Sequence, residues 1–217
     1  MTASANLIDN HRHILVALDA ADEAVRDVAR GHRSLAFFEN LREFIDVYAD
    51  GAHYEKEDHM FAAVMAQAAP AAGPVACLDM EHHATRGQHD RLAAALEAIR
   101  KGNNDAWFDV VDATTRYVTI IRIHLPKENA GFFPMADMVL PAHIQADLVA
   151  RYEEIDGKLP MSFADAAAGL QQQVRKKPVA APAPAGRPMP SRFVDRFTLY
   201  DDRLGVALDL LGDVGRG

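Results

Sequence analysis

Four histidines and two glutamates carry the chemistry available to this sequence: His11, His53, His82, His124, Glu57 and Glu128. Two of the histidines have a glutamate four residues on, His53-x-x-x-Glu57 and His124-x-x-x-Glu128, and the two motifs are 71 residues apart (53 to 124, 57 to 128). On a helix, residues i and i+4 are neighbours about 6 Å apart along the axis, so each pair faces one interior point. A buried carboxylate is costly unless it is paired, hydrogen-bonded or bound to a metal. With no lysine on those faces, two inward glutamates among four histidines would build a poor core; bound to divalent metal, the same groups are satisfied. A single histidine on an apolar face is most often a core residue, and a single His-x-x-x-Glu is an ordinary surface pair. The joint pattern, one histidine per apolar face with two identically spaced carboxylates, points to a metal centre.

The elements that must position these residues follow from helical periodicity, since no segment alternates apolar and polar residues as a strand would. Leu7, His11, Ile14, Leu18, Ala21, Val25 and Val28 form one helical face that Gly31 ends. A second runs from Ser34 through Leu41, Ile45, Ala49, His53, Glu57, Met60 and Val64 and stops before Pro70. A third follows Pro74, with Val75, Leu78, His82, Arg86, His89, Leu92, Leu96 and Ile99, and closes at Gly102. The fourth starts near Asp105, carries Trp107, Val110, Thr114, Tyr117, Ile121, His124 and Glu128, and ends near Pro134 or Pro141. Four long amphipathic segments with short connections predict an all-α, up-down-up-down four-helix bundle. Shorter helical patterns follow at 142–156 and 160–176. Pro126 lies between His124 and Glu128; it removes one backbone N–H, so the fourth helix should kink or widen there, or end near Leu125 and leave Glu128 on the surface.

The 217 residues, 49% hydrophobic and 25% charged, suffice for one domain with an appendage or two small ones. The single cysteine, Cys77, can form neither an internal disulfide nor a thiolate metal cage. The N-terminus lacks the apolar run of a signal peptide, and no stretch approaches the roughly 18 apolar residues of a membrane span, so a cytoplasmic protein without a membrane partner is expected. A formal net charge of −8 disfavours a nucleic-acid partner. Residues 1–174 carry −11 and residues 175–196 carry +5, an uneven balance that reads as an acidic body followed by a solvated basic linker. Within it, residues 176–190 are Pro/Ala-rich and should be extended. Beyond, Phe193, Phe197, Tyr200, Leu204, Leu208 and Leu211 fall on one stripe, which should dock on its own bundle, on a second copy as a homodimer, or on a partner protein.

These residues resemble the hemerythrin family in its bacterial HHE-type cation-binding form. The likeness rests on Asn10-His11-Arg12, on His53-Tyr-Glu-Lys-Glu57-Asp-His-Met-Phe61, on Glu81-His82 with Arg86, and on His124-Leu-Pro-Lys-Glu128 followed by Phe132-Phe133-Pro134. It spans about residues 5–140 and implies a non-haem di-iron centre of two iron ions with bridging carboxylates. By position, the implied ligands are His11, His53, Glu57, His82, His124 and Glu128. The domain reading is then a hemerythrin-like bundle over 1–157, an additional helix over 158–175, the linker 176–190 and a docking segment over 191–217. Oxygen-carrying hemerythrins place a second histidine where Arg86 stands here, and a His and a later Asp in helix 4 where this chain has His124, Glu128 and Asn129. Fewer histidines make the site more open or more carboxylate-rich, which favours iron handling, sensing or redox chemistry over simple oxygen carriage. Arg86, His89 and Tyr117 are candidates for contact behind the ligands; His13, His32, His59, His83 and His143 lie off the stripes and read as surface residues.

Three functions remain open on these residues: a module that binds or senses a small diatomic or peroxide ligand such as O₂ or NO, an enzyme of the same centre (a peroxidase, an oxidase or an NO-handling catalyst), and iron storage or iron-responsive interaction. A ferritin-like site would need Glu-x-x-His on two helices, which the chain lacks, and a zinc hydrolase would need His-Glu-x-x-His, also absent.

Overall fold

The computed structural model describes residues 2–175, which form six helices and no strand. The readings made above for 176–190 and 191–217 lie outside the described residues.

Each helix starts and stops for a local reason. In α1 (Ala3–Ala29) the Thr2 hydroxyl accepts the N–H of Ala5, and the chain turns out at Gly31 with φ +90. Ser34 caps α2 (residues 35–67) by accepting the N–H of Phe37. Pro74 sits in the first turn of α3 (Ala72–Arg100), where its missing N–H is not needed, and Gly102, at φ +91, ends that helix. After a short turn capped by Asn103, α4 (residues 107–139) runs to Val139 and stops at the extended Leu140-Pro141. Two shorter helices complete the body, α5 (Ala142–Asp156) and α6 (Phe163–Arg175).

Consecutive long helices pack on one another and α4 closes against α1, giving a four-helix bundle. α5 lies against α1 and the C-terminal part of α2, and α6 lies against α1 and the N-terminal part of α2. The shorter helices turn apolar faces inward: Leu148, Tyr152 and Ile155 on α5, Phe163, Ala167, Leu170 and Val174 on α6. Each fully buried large side chain contributes about 1.5–3 kcal/mol of hydrophobic stabilisation.

Two of the long helices are not uniform. Within α2, residues Ile45–His53 form a π-helical stretch between two α-helical ones. Within α4, residues Glu128–Phe132 do the same, two positions after Pro126. The widening expected from the proline is therefore present, and the helix does not end at Leu125. Glu128 is fully buried rather than solvent-facing. π-turns of this kind re-aim the side chains that follow and are frequent at functional sites.

Candidate metal centre

Each long helix brings one or two of the six residues to the same level of the bundle: His11 from α1, His53 and Glu57 from α2, His82 from α3, His124 and Glu128 from α4. All six are at most 1% exposed. Their donor atoms make two groups of four, each able to hold a metal ion, with every donor in a group within 4.8 Å of the others. One group is His11, His53, Glu57 and Glu128; the other is His82, His124, Glu57 and Glu128. Both carboxylates belong to both groups.

The geometry inside is close to two-fold. His11 Nε2 lies 3.1 Å from His53 Nε2, and His82 Nε2 lies 3.1 Å from His124 Nε2. Glu57 spans the halves, with Oε1 2.9 Å from His53 Nε2 and Oε2 3.3 Å from His82 Nε2. Glu128 Oε2 lies 3.3 Å from His11 Nε2 and 3.2 Å from His124 Nε2. The donor set fits divalent metal on a direct test: Glu57 and Glu128 lie 2.9–3.6 Å from imidazole Nε2 atoms, yet none of their four oxygens has an aligned hydrogen bond among the described residues. Buried anionic oxygens without aligned hydrogen bonds are costly, and cations among them remove that cost.

The electrostatics agree. Burial works against charge on His11, but Glu128 and Glu57 outweigh it and raise its pKa to about 9. His124 is raised to about 9 in the same way, with burial overcome by Glu128, Glu57 and Glu81. In His53 burial wins and the pKa is lowered. Burial pushes the Glu57 carboxyl upward, yet the surrounding His53, His11 and His82 hold it well below the usual carboxylate range. Protons and metal ions therefore compete for the same donors.

Behind the donors, His11 Nδ1 donates to Asn129 Oδ1 at 2.9 Å and His124 Nδ1 to Glu81 Oε2 at 2.9 Å, while Lys127 Nζ also pairs with Glu81. These bonds fix the tautomer that leaves Nε2 facing inward. Tyr54 stacks on His82 with ring centroids 3.7 Å apart and an interplanar angle of 16°, its hydroxyl 3.0 Å from Thr85 Oγ1. Phe61 also stacks on His82 at 5.8 Å and meets Phe132 edge-on at 4.9 Å, while Phe133 stacks on His11 at 5.4 Å. Aromatic rings thus line the centre and keep water from it.

The helical bundle brings together donors that could hold cations, and comparison with known proteins agrees. Residues 2–139 match the family model described as the hemerythrin HHE cation-binding domain. The chain belongs to that family. No curated protein and no solved structure matches it. Among the described residues, no helix is long and apolar enough to cross a membrane.

Of the residues singled out behind the donors, none joins either four-donor group. Tyr117 donates to Asp50 Oδ1 at 2.9 Å, and His89 Nδ1 lies 3.3 Å from Asp50 Oδ2, so the two converge on a carboxylate one turn before His53. Arg86 lies over the Tyr54 ring at 5.3 Å. His32, His83 and His143 are exposed, and His13 and His59 are half-buried. Sequence reasoning gave no role to Glu81, Asn129, Asp50 or the Tyr54 stacking. It also missed Lys56, which is completely buried next to Glu57, where no lysine was expected on the inward faces. Lys56 points instead to Asn6 and Asn10 of α1 and Asp156 of α5.

Proposed function

We propose that this HHE-domain protein is a non-haem di-iron protein that binds and senses a small diatomic ligand, O₂ or NO, at the six-residue centre. The observation that carries the proposal is the pair of four-donor groups sharing both Glu57 and Glu128. His11 and His53 would hold one ion and His82 and His124 the other, with Glu57 and Glu128 common to both groups. Mixed histidine and carboxylate donors suit ferrous iron. Bound there, ferrous iron would supply electrons to a diatomic ligand. The chain's own part is to orient the four imidazoles, to offset part of the cations' charge with two carboxylates, and to exclude water with Tyr54, Phe61, Phe132 and Phe133.

Binding is favoured over storage because the donors are fully buried and shared within two groups, with the surrounding space filled by aromatic side chains. The test is anaerobic reconstitution with ferrous iron, metal analysis, and optical spectra before and after O₂ or NO. Two ions per chain and a reversible coloured adduct are expected. One ion or none would overturn the reading; catalytic loss of peroxide would convert it to an enzyme, and uptake far above two ions to storage.

A further inference from the structure

The two halves of the centre are near copies, and the polar group behind them is what differs. In each half one histidine is held through Nδ1, His11 in one and His124 in the other, while the Nδ1 atoms of His53 and His82 have no partner among the described residues. His11 gives its proton to a neutral amide, Asn129 Oδ1, and His124 gives its proton to a carboxylate, Glu81 Oε2, both at 2.9 Å. Lys127 anchors that carboxylate from the surface side. A hydrogen bond to an anion is roughly twice as strong as one to a neutral acceptor. It draws the Nδ1 proton outward and leaves Nε2 the more basic, more electron-donating atom. The Tyr54 ring, stacked on His82, lies in the same half.

Resting on the di-iron reading above, we infer that the two metal positions are inequivalent, and that Glu81 makes the one held by His82 and His124 both the tighter and the more easily oxidised. Extra donation favours any cation, and a ferric ion more than a ferrous one. An added one-electron oxidant would then leave the ferric ion in the His82/His124 half. Glu81 acts through His124 and so is a positioning residue, not a ligand. Asn129 is exposed, so a carboxylate can be placed at that position without burying a charge.

The experiment uses the full chain with ferrous iron as probe. Anaerobic titration should resolve two binding steps, and E81Q should weaken the tighter step by about 10–100-fold while leaving the weaker unchanged, the range for loss of a partner behind a ligand. The first one-electron potential of the loaded protein should rise in E81Q and fall in N129D, a tenfold change in preference being about 59 mV. Mössbauer spectra of the half-oxidised protein should show one dominant ferric environment in the native chain and a different one in the E81Q/N129D double variant. E81D, which keeps the anion, should restore much of the native potential. N129D is an independent arm should E81Q misfold. Two ions bound in indistinguishable steps, with potential and spectra unmoved in both variants, would overturn this inference and leave the di-iron reading standing. A chain that binds no iron would overturn both.

Discussion

Gly51 lies directly under the backbone carbonyl of Asp46: a Cβ at position 51 would stand 2.5 Å from the Asp46 oxygen. The contact belongs to the π-helical stretch of α2, where residue i comes over the carbonyl of residue i−5. Replacing Gly51 with alanine forces that carbonyl aside or collapses the turn to α geometry. Collapse rotates His53 and Glu57 away from their partners. The expected result for Gly51→Ala is a loss of about 1–3 kcal/mol and a drop in bound metal. Gly87→Ala is the control, since a Cβ there meets nothing within 4 Å; in a helix it should be neutral or stabilising by about 0.5–1 kcal/mol. Thermal melts and metal analysis of both variants check this, and equal behaviour would refute the role of the π-turn.

The face of each helix was legible from periodicity, and so was a trace of the π-turns. Phe37, Leu41, Ile45, Ala49, His53, Glu57 and Phe61 are all buried and spaced by four. Each step of four passes a full α-turn by about 40°, so six steps would carry the stripe about 240° round a straight α-helix. The wider turn at Ile45–His53 absorbs part of that drift. His124, Glu128, Phe132, Ala136 and Leu140 repeat the pattern across the second π-turn. What stayed hidden were polar contacts between helices. Glu81 meets His124 across 43 residues, Asn129 meets His11 across 118, and Lys56 meets Asn10 across 46. Such pairs depend on which helix faces which, and single-helix periodicity does not encode that.

Glu57 touches both halves of the centre, so its removal should release both ions. Glu57→Ala deletes the carboxylate that lies 2.9 Å from His53 Nε2 and 3.3 Å from His82 Nε2. His13→Ala deletes a side chain that is 28% exposed and meets the part-exposed Asp9. Metal content after reconstitution should fall toward zero in the first variant and stay at two ions per chain in the second. Equal content in two folded variants would count against the assignment of the inward face.

Metal loading should tighten as pH rises. His11 and His124 have folded pKa values of about 9 against 6.5 unperturbed. A histidine raised in this way stabilises the metal-free fold fully below about pH 6.5, and that contribution is lost as pH rises through about 9. Binding metal needs both Nε2 atoms deprotonated, so binding releases protons over the same window. The increase in Tm caused by metal should therefore grow between about pH 6.5 and 9, as the metal-free form weakens and the loaded form gains. Melting curves with and without ferrous iron across that range test it. A constant metal-induced shift would mean that these two histidines do not titrate against the metal.

Lys56 should matter for stability and not for metal. Its side chain is completely buried, its ammonium donates to Asn6 Oδ1 at 3.0 Å and Asn10 Oδ1 at 3.1 Å, and it pairs with Asp156 at 2.7 Å. The rings of Tyr152 and Phe163 lie 5.7 and 5.4 Å from the ammonium. One side chain thus ties α1, α2 and α5 together next to Glu57, which belongs to both donor groups. Burial lowers its pKa, and Asp156 offsets part of that. Breaking a buried ion pair costs about 3–5 kcal/mol where the survivor stays buried. Asp156 is 36% exposed and can turn to water, so Lys56→Ala should cost less, about 2–3 kcal/mol, mostly from the lost stem and two unpaired asparagines. Lys56→Met keeps the stem's volume and should cost about half as much. Because Lys56 is not among the donors, both variants should still bind two ions when folded. Urea unfolding with metal analysis separates the outcomes: a Lys56→Met protein of native stability that has lost its metal would show that this lysine holds Glu57 in place and not the helices.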